Sequence, residues 1–195
     1  MKVILASNNQ GKIKEFKEIL AKFKIEVLSL KDIDFHDEII EDGETFEANA
    51  LIKAKTIYDR YHLPVIADDS GLCVDYLNGE PGIYSARYHG LDDEKDRIRL
   101  ILNMLGDTKE RGAHFHCSIV FYISNDNYHH FPGEVYGTLD YEMKGSNGFG
   151  YDVIFIPNGY TQTFGELDTS IKNDISHRAL ALKLFVGFLQ NDFSN

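Results

Sequence analysis

The sequence predicts an α/β fold, because short apolar runs suited to strands alternate along the chain with stretches whose apolar residues recur at helical spacing. Two further observations support this. Ala113, Phe115, Cys117, Ile119, Phe121 and Ile123 form the clearest period-two pattern in the chain, as a long strand requires. The composition, 43% hydrophobic and 26% charged over 195 residues, is that of an ordinary globular protein. At about 150 residues per domain this length fits a single domain over residues 1–195, or at most two small lobes.

In order, Val3 to Ala6 is a short apolar strand ended by the polar turn Ser7-Asn8-Asn9-Gln10-Gly11. Ile13, Phe16, Ile19, Leu20 and Phe23 then recur at helical spacing. Ile25 to Leu30 reads as a second strand, and the acidic stretch from Asp32 to Glu44 as an irregular loop. A helix starting near Thr45 buries Phe46, Ala50, Ala54, Ile57 and Tyr61. Pro64 ends it, and Val65-Ile66-Ala67 is a compact strand whose end carries Asp68 and Asp69. Glu80-Pro81-Gly82 is a turn, and Leu91, Ile98, Leu102 and Leu105 suit a helix of about four turns. After the long strand, Asn125-Asp126-Asn127 turns the chain into a segment through Val135. Gly145 to Gly150 is a glycine-rich loop, Val153 to Ile156 a strand, and Ser176 to about Gln190 a last helix.

The net charge of −11 argues against a protein that coats nucleic acid or an anionic membrane through a basic face. An anionic ligand must therefore be held by local cations or by metal. Cys73 and Cys117 cannot build a disulfide framework and read as reduced thiols. No run approaches the roughly 18 to 20 apolar residues of a membrane span, and the opening residues are too short an apolar run for a signal peptide. The expected location is the cytoplasm.

Several motifs carry candidate chemistry, and each has a plainer alternative. Ser7-Asn8-Asn9-Gln10-Gly11-Lys12 lies between a strand and a helix, where N–H groups and an ammonium converge on a phosphate or merely cap the helix. On the helix after the acidic loop, Asn49 and Lys53 are four apart and share a face. Glu41 would ligate a hard cation while Asn49 and Lys53 reach substrate oxygens, unless this is only a solvated helix start. Asp68-Asp69-Ser70-Gly71 places two repelling carboxylates side by side, which either bind Mg²⁺ or form an ordinary turn. Arg87 could offer a cation to a phosphate or a carboxylate, but a lone arginine after a turn is more often a surface ion pair. In Gly148-Phe149-Gly150-Tyr151-Asp152 the glycine spacing is wrong for a dinucleotide loop. Phe149 either stacks on a base or fills the core. Ser176-His177-Arg178 is a donor cluster at a helix start or a Ser cap with two solvated side chains. His114, His116, His129 and His130 lack the partners of a transition-metal site and read as packing or surface residues.

Taken together, these blocks, with Gly82-Ile83-Tyr84-Ser85-Ala86-Arg87, resemble the inosine triphosphate pyrophosphatase family in content and order through nearly the whole chain. The resemblance implies a long mixed β-sheet with flanking helices and two lobes around a central cleft. It implies a homodimeric, Mg²⁺-dependent enzyme that hydrolyses ITP, dITP and XTP, purine nucleoside triphosphates, to the monophosphate and pyrophosphate. By the same resemblance Ser7, Asn8, Asn9, Gln10, Gly11, Lys12 and Lys53 hold the phosphates. Glu41 and Asp69 hold the metal, and Asp69 also accepts the proton. Ser70 contacts substrate, while Phe149, Gly150, Tyr151, Asp152, Lys172, His177 and Arg178 line the nucleotide pocket. His177 and Arg178 are the candidate donors to the 6-oxo group of the base. Two departures stand out: Val153 replaces a proline usual in the family, and Met143-Lys144-Gly145 replaces a Pro-Arg-Gly stretch. The alternatives are a pyrophosphatase for other modified nucleotides, or a nucleotide-binding sensor without turnover.

Overall fold

The computed structural model of the chain describes residues 1–21, 23–124 and 127–192. Of the turn expected at Asn125-Asp126-Asn127, the first two residues lie outside the described residues and Asn127 begins a strand. Among the described residues six strands are hydrogen-bonded in the order β2-β1-β3-β4-β5-β6. They are β1 (Lys2–Leu5), β2 (Glu26–Ser29), β3 (Val65–Val74), β4 (Gly112–Ser124), β5 (Asn127–Leu139) and β6 (Phe155–Pro157). The sheet is mixed: β1 runs parallel to both β2 and β3, and β5 antiparallel to β6. The helices are α1 (Gln10–Ala21), α2 (Phe46–Tyr61), α3 (Glu94–Leu105), α4 (Thr169–Ile175) and α5 (His177–Asp192). The α/β architecture and the mixed sheet are as the sequence predicts. Among the described residues no helix is long and apolar enough to cross a membrane.

The chain divides into two compact units, with boundaries inside β3, β4, β5 and α5. Unit 1 takes Met1–Asp69, Ser118–Pro132 and the chain from Ala181, and unit 2 takes Ser70–Cys117 and Gly133–Leu180. In unit 1, α2 buries Ala50, Ala54 and Ile57 against Ile4, Ala6, Val65, Ala67 and Val120. Small alanines on the inner face let the helix approach the strands closely. Its start is fixed by Thr45, whose side chain accepts the Ala48 N–H, a cap worth about 1 kcal/mol. In unit 2, Ile98, Ile101 and Leu105 of α3 join Leu72, Val74, Phe115, Tyr151, Phe155 and Phe164 in a second core. Along β4 every residue from Cys117 to Tyr122 is buried, as a strand covered on both faces requires.

Two expectations about strands need correction, and one helix was not expected at all. The strand from Val65 does not end at Ala67 but continues to Val74, so Asp68 and Asp69 lie inside β3. Asp-Asp-Ser-Gly is turn chemistry in isolation, but here sheet pairing and lysine partners outweigh that local preference. The strand placed at Val153 to Ile156 begins at Phe155, because Gly150–Val153 forms a 3-10 turn. Helix α4, only 7 residues long, has too few turns to show a periodic apolar face.

Candidate active site

In unit 1, α1 begins after a polar turn that caps it. The Asn9 side chain accepts the Lys12 N–H at 3.1 Å, and Ser7 Oγ accepts the Asn9 N–H at 3.2 Å. Asn8, Asn9 and Gln10 are exposed, and the Gln10 amide donates to the Asn8 carbonyl. Capping and ligand binding are compatible here, since a capped helix start still presents N–H groups and the positive end of its dipole. Lys12 reaches back from α1 to the fully buried side chain of Asp68, Nζ to Oδ2 at 2.9 Å.

The acidic loop, α2 and β3 meet around Lys53. Its ammonium donates to Glu41 Oε2 at 3.0 Å and lies 3.6 Å from Asp69 Oδ1. Burial works against the Lys53 charge, but Asp69, Asp68 and Glu41 outweigh it and hold its pKa above the ordinary value. Burial pushes the Asp69 carboxyl up, against the pull of Lys53 and Lys12 and with the help of Glu41. A buried carboxylate with a raised pKa is a stronger proton acceptor than an exposed one. The adjacent aspartates are thus accommodated by two separate lysines, a pairing that the sequence does not reveal. Asn49, expected to reach substrate oxygens, is instead wholly buried. Its amide donates to Asp69 Oδ2 at 3.2 Å and accepts the Gly43 N–H at 2.9 Å.

In unit 2 the glycine loop and the two C-terminal helices form a cluster of donors. Phe149 is half-buried, with Lys172 Nζ 4.5 Å and Arg178 Cζ 5.6 Å from its ring centre. Asp152 is buried and accepts from Lys172 at 2.6 Å and from the Phe149 N–H at 2.8 Å. Burial raises the Asp152 pKa, opposed chiefly by the Lys172 charge. Gly148 and Gly150 have φ of +75° and +61°, and a Cβ on Gly148 would fall on the Asp152 carboxylate, so this loop requires glycine. Val153 leaves the loop held by other means: the Gly165 carbonyl accepts the Ser146 and Asn147 N–H groups, each at 2.9 Å. Lys144, in the other departing stretch, pairs with Asp140 at 2.9 Å.

Tyr151 is buried and its hydroxyl donates to the Ser85 carbonyl at 2.8 Å, so its ring belongs to the core. Arg178 is 1% exposed and donates to Ser70 Oγ at 3.1 Å. His177 stacks on Phe115 at 4.8 Å and 13°. Ser176 accepts the Ala179 N–H and caps α5, as expected of a Ser at that place. Sequence reasoning missed Ser85, whose Oγ accepts the Leu72 N–H at 2.9 Å and donates to the Gly82 carbonyl at 2.6 Å. It also missed Phe115 as the support of His177; no local signal marks either. Arg87 lies over Tyr84, 5.4 Å from the ring centre. The histidines behave as packing and surface groups: His116 pairs with Glu134 at 2.9 Å, and His129 lies 4.2 Å from Phe188. Among the described residues no three His, Cys, Asp or Glu side chains form a metal cluster.

The Ham1 family model matches residues 3–188. The chain belongs to the Ham1 family. Relatives of this Ham1 protein include the dITP/XTP pyrophosphatase of Bacillus licheniformis, 47% identical over 93% of this chain and 94% of that one. The dITP/XTP pyrophosphatase of Listeria innocua is 45% identical over 93% and 91%. The solved Staphylococcus aureus Ham1 protein superposes with a TM-score of 0.90 at 40% identity, covering 98% of this chain and all of that one. The fold and length of this chain thus match those of a solved Ham1 protein.

Proposed function

We propose that this Ham1 protein is a nucleoside-triphosphate pyrophosphohydrolase that converts ITP, dITP and XTP to the monophosphate and pyrophosphate, with Mg²⁺ as its cofactor. The reaction forms a bond from a water oxygen to the α-phosphorus as the α–β bridging P–O bond breaks. The electron pair leaves on pyrophosphate, and the water proton passes to a base. Asp69 is suited to be that base, being a buried carboxylate within reach of Lys53 and held in place by the Asn49 amide. Lys53, Lys12 and the N–H groups at the start of α1 offset charge moving onto the leaving group. The supporting observation is the group of half-buried Glu41 and buried Asp68 and Asp69 interleaved with Lys12 and Lys53.

Glu41 and Asp69 offer hard carboxylate oxygens from two elements, and both already lean on one ammonium. That suits Mg²⁺, which takes one or two protein carboxylates and fills its remaining positions with water and phosphate. When bound, it supplies Lewis-acid neutralisation of phosphate charge. In unit 2, Phe149 would stack on the base, with Gly150, Asp152 and Lys172 shaping its surroundings. His177 and Arg178 would donate to its 6-oxo group, where adenine presents a donor amine instead. Such a mismatch leaves buried partners unpaired and rejects the wrong base by up to about 10⁴-fold. A homodimer in the cytoplasm is part of the same reading, and sedimentation of the purified chain tests the dimer.

The deciding experiment incubates the protein with ITP, dITP, XTP, ATP and GTP, with and without Mg²⁺, and separates the products by chromatography. Monophosphate and pyrophosphate should form from the first three, and only with the ion. Release of diphosphate and orthophosphate, or equal turnover of ATP, would sink the proposal.

A further inference from the structure

The Asn49 side chain occupies a costly place. Asparagine is a poor helix former, yet this one stands within the first turns of α2 with no exposed surface. Both ends of its amide are used within unit 1, and the chemistry fixes which end is which. The Gly43 N–H can only donate, so the amide oxygen faces it; the amide nitrogen therefore faces the Asp69 carboxylate. Gly43 is tied to the arrangement as well: a Cβ there would come within 2.8 Å of both Ala48 Cβ and Asn49 Oδ1. Only a glycine lets the acidic loop lie this close over the start of α2. Two residues after Glu41, the loop is thus fastened to the same side chain that holds Asp69.

We infer that Asn49 is a positioning residue for the proposed reaction, clamping Asp69 through Oδ2 so that the carboxylate keeps one orientation, with Oδ1 toward Lys53. It acts through Asp69 and does not touch substrate. The inference rests on the reading of Asp69 as the proton acceptor. A carboxylate held only by ammonium groups has point-charge partners and can rotate; a planar amide locked at its other end cannot follow it. Fixing a reacting group in this way lowers the entropy lost in reaching the transition state, and loss of such supporting partners costs about 10- to 100-fold in activity.

Asn49→Leu is the discriminating variant, since its side chain is of similar volume and uncharged but has no amide proton for Asp69. The expected result is a folded protein with unchanged circular dichroism. Its kcat for ITP should be about 10- to 100-fold lower, with KM within about twofold. In an Asp69→Asn background the same change should cost nothing further, because the clamp has nothing left to orient. Gly43→Ala, which adds a methyl group against Asn49 and removes no polar group, should also lower kcat, and serves if Asn49→Leu does not fold. If the folded variants keep parental kcat while Asp69→Asn is inactive, the positioning role is wrong and the catalytic reading stands. If Asp69→Asn itself turns over ITP normally, the reading beneath fails.

Discussion

Asp152 and Lys172 form a pair whose side chains are 3% and 6% exposed, with 2.6 Å between the charged atoms. Removing one member of such a pair leaves the other charge buried without compensation, at a cost of about 3–5 kcal/mol. Replacing both by apolar groups avoids that penalty. Asp152→Ala should therefore lower the urea midpoint of the protein sharply, and adding Lys172→Met should recover a large part of the loss. A single variant as stable as the parent would show that the pair is not buried in solution. The sequence named both residues but not their contact, because they lie 20 positions apart on a loop and a short helix. Glu41 and Asp69 were legible as candidates in the same way, through residue type and surrounding motif. Lys53 and Asn49 were legible as candidates on a shared helix face, but nothing in the order of residues said that Lys53 pairs with both acids or that Asn49 turns inward.

At the scale of elements, β2 is closed by a side chain that also makes stability depend on pH. Asp32, in the 3-10 turn after β2, accepts the Ser29 N–H and the Ser29 hydroxyl, each at 2.8 Å. The backbone bond, more than any other cause, holds its pKa below the ordinary 3.8. The unfolded chain therefore binds the proton more readily than the folded one. The stabilisation is complete above that ordinary value and is lost as pH falls through the lower folded one. Asp32→Asn should be less stable than the parent at neutral pH, and the gap in denaturation midpoint should shrink below about pH 3.8. A gap that widens in acid would contradict the assignment. Elements with many repeats of their period were the readable ones: β4, 13 residues long, shows its alternation plainly, and α2 its spacing and Thr45 cap. Helix α4 and the second half of β3 were not readable, because in each the sheet or a neighbouring helix decides what local preference leaves open.

For the whole molecule the governing quantity is the net charge of −11, set against a substrate that is itself highly anionic. Two electrostatic effects of different range compete. The ammonium groups of Lys12 and Lys53 act at contact distance from buried carboxylates, with side chains only 14% and 10% exposed, and salt screens such sheltered charges weakly. The excess of carboxylates over the surface acts across longer distances through solvent, where screening is strong because the Debye length is only about 8 Å at physiological ionic strength. Raising sodium chloride from about 10 mM to about 150 mM should then remove repulsion faster than attraction. The second-order rate kcat/KM for ITP, measured at saturating Mg²⁺, should rise or hold steady over that interval. A protein that met its nucleotide through a basic face would lose association rate over the same interval. A steep fall here would mean that the lysines project their field well beyond the site, and that the acidic surface has no influence on how the triphosphate arrives.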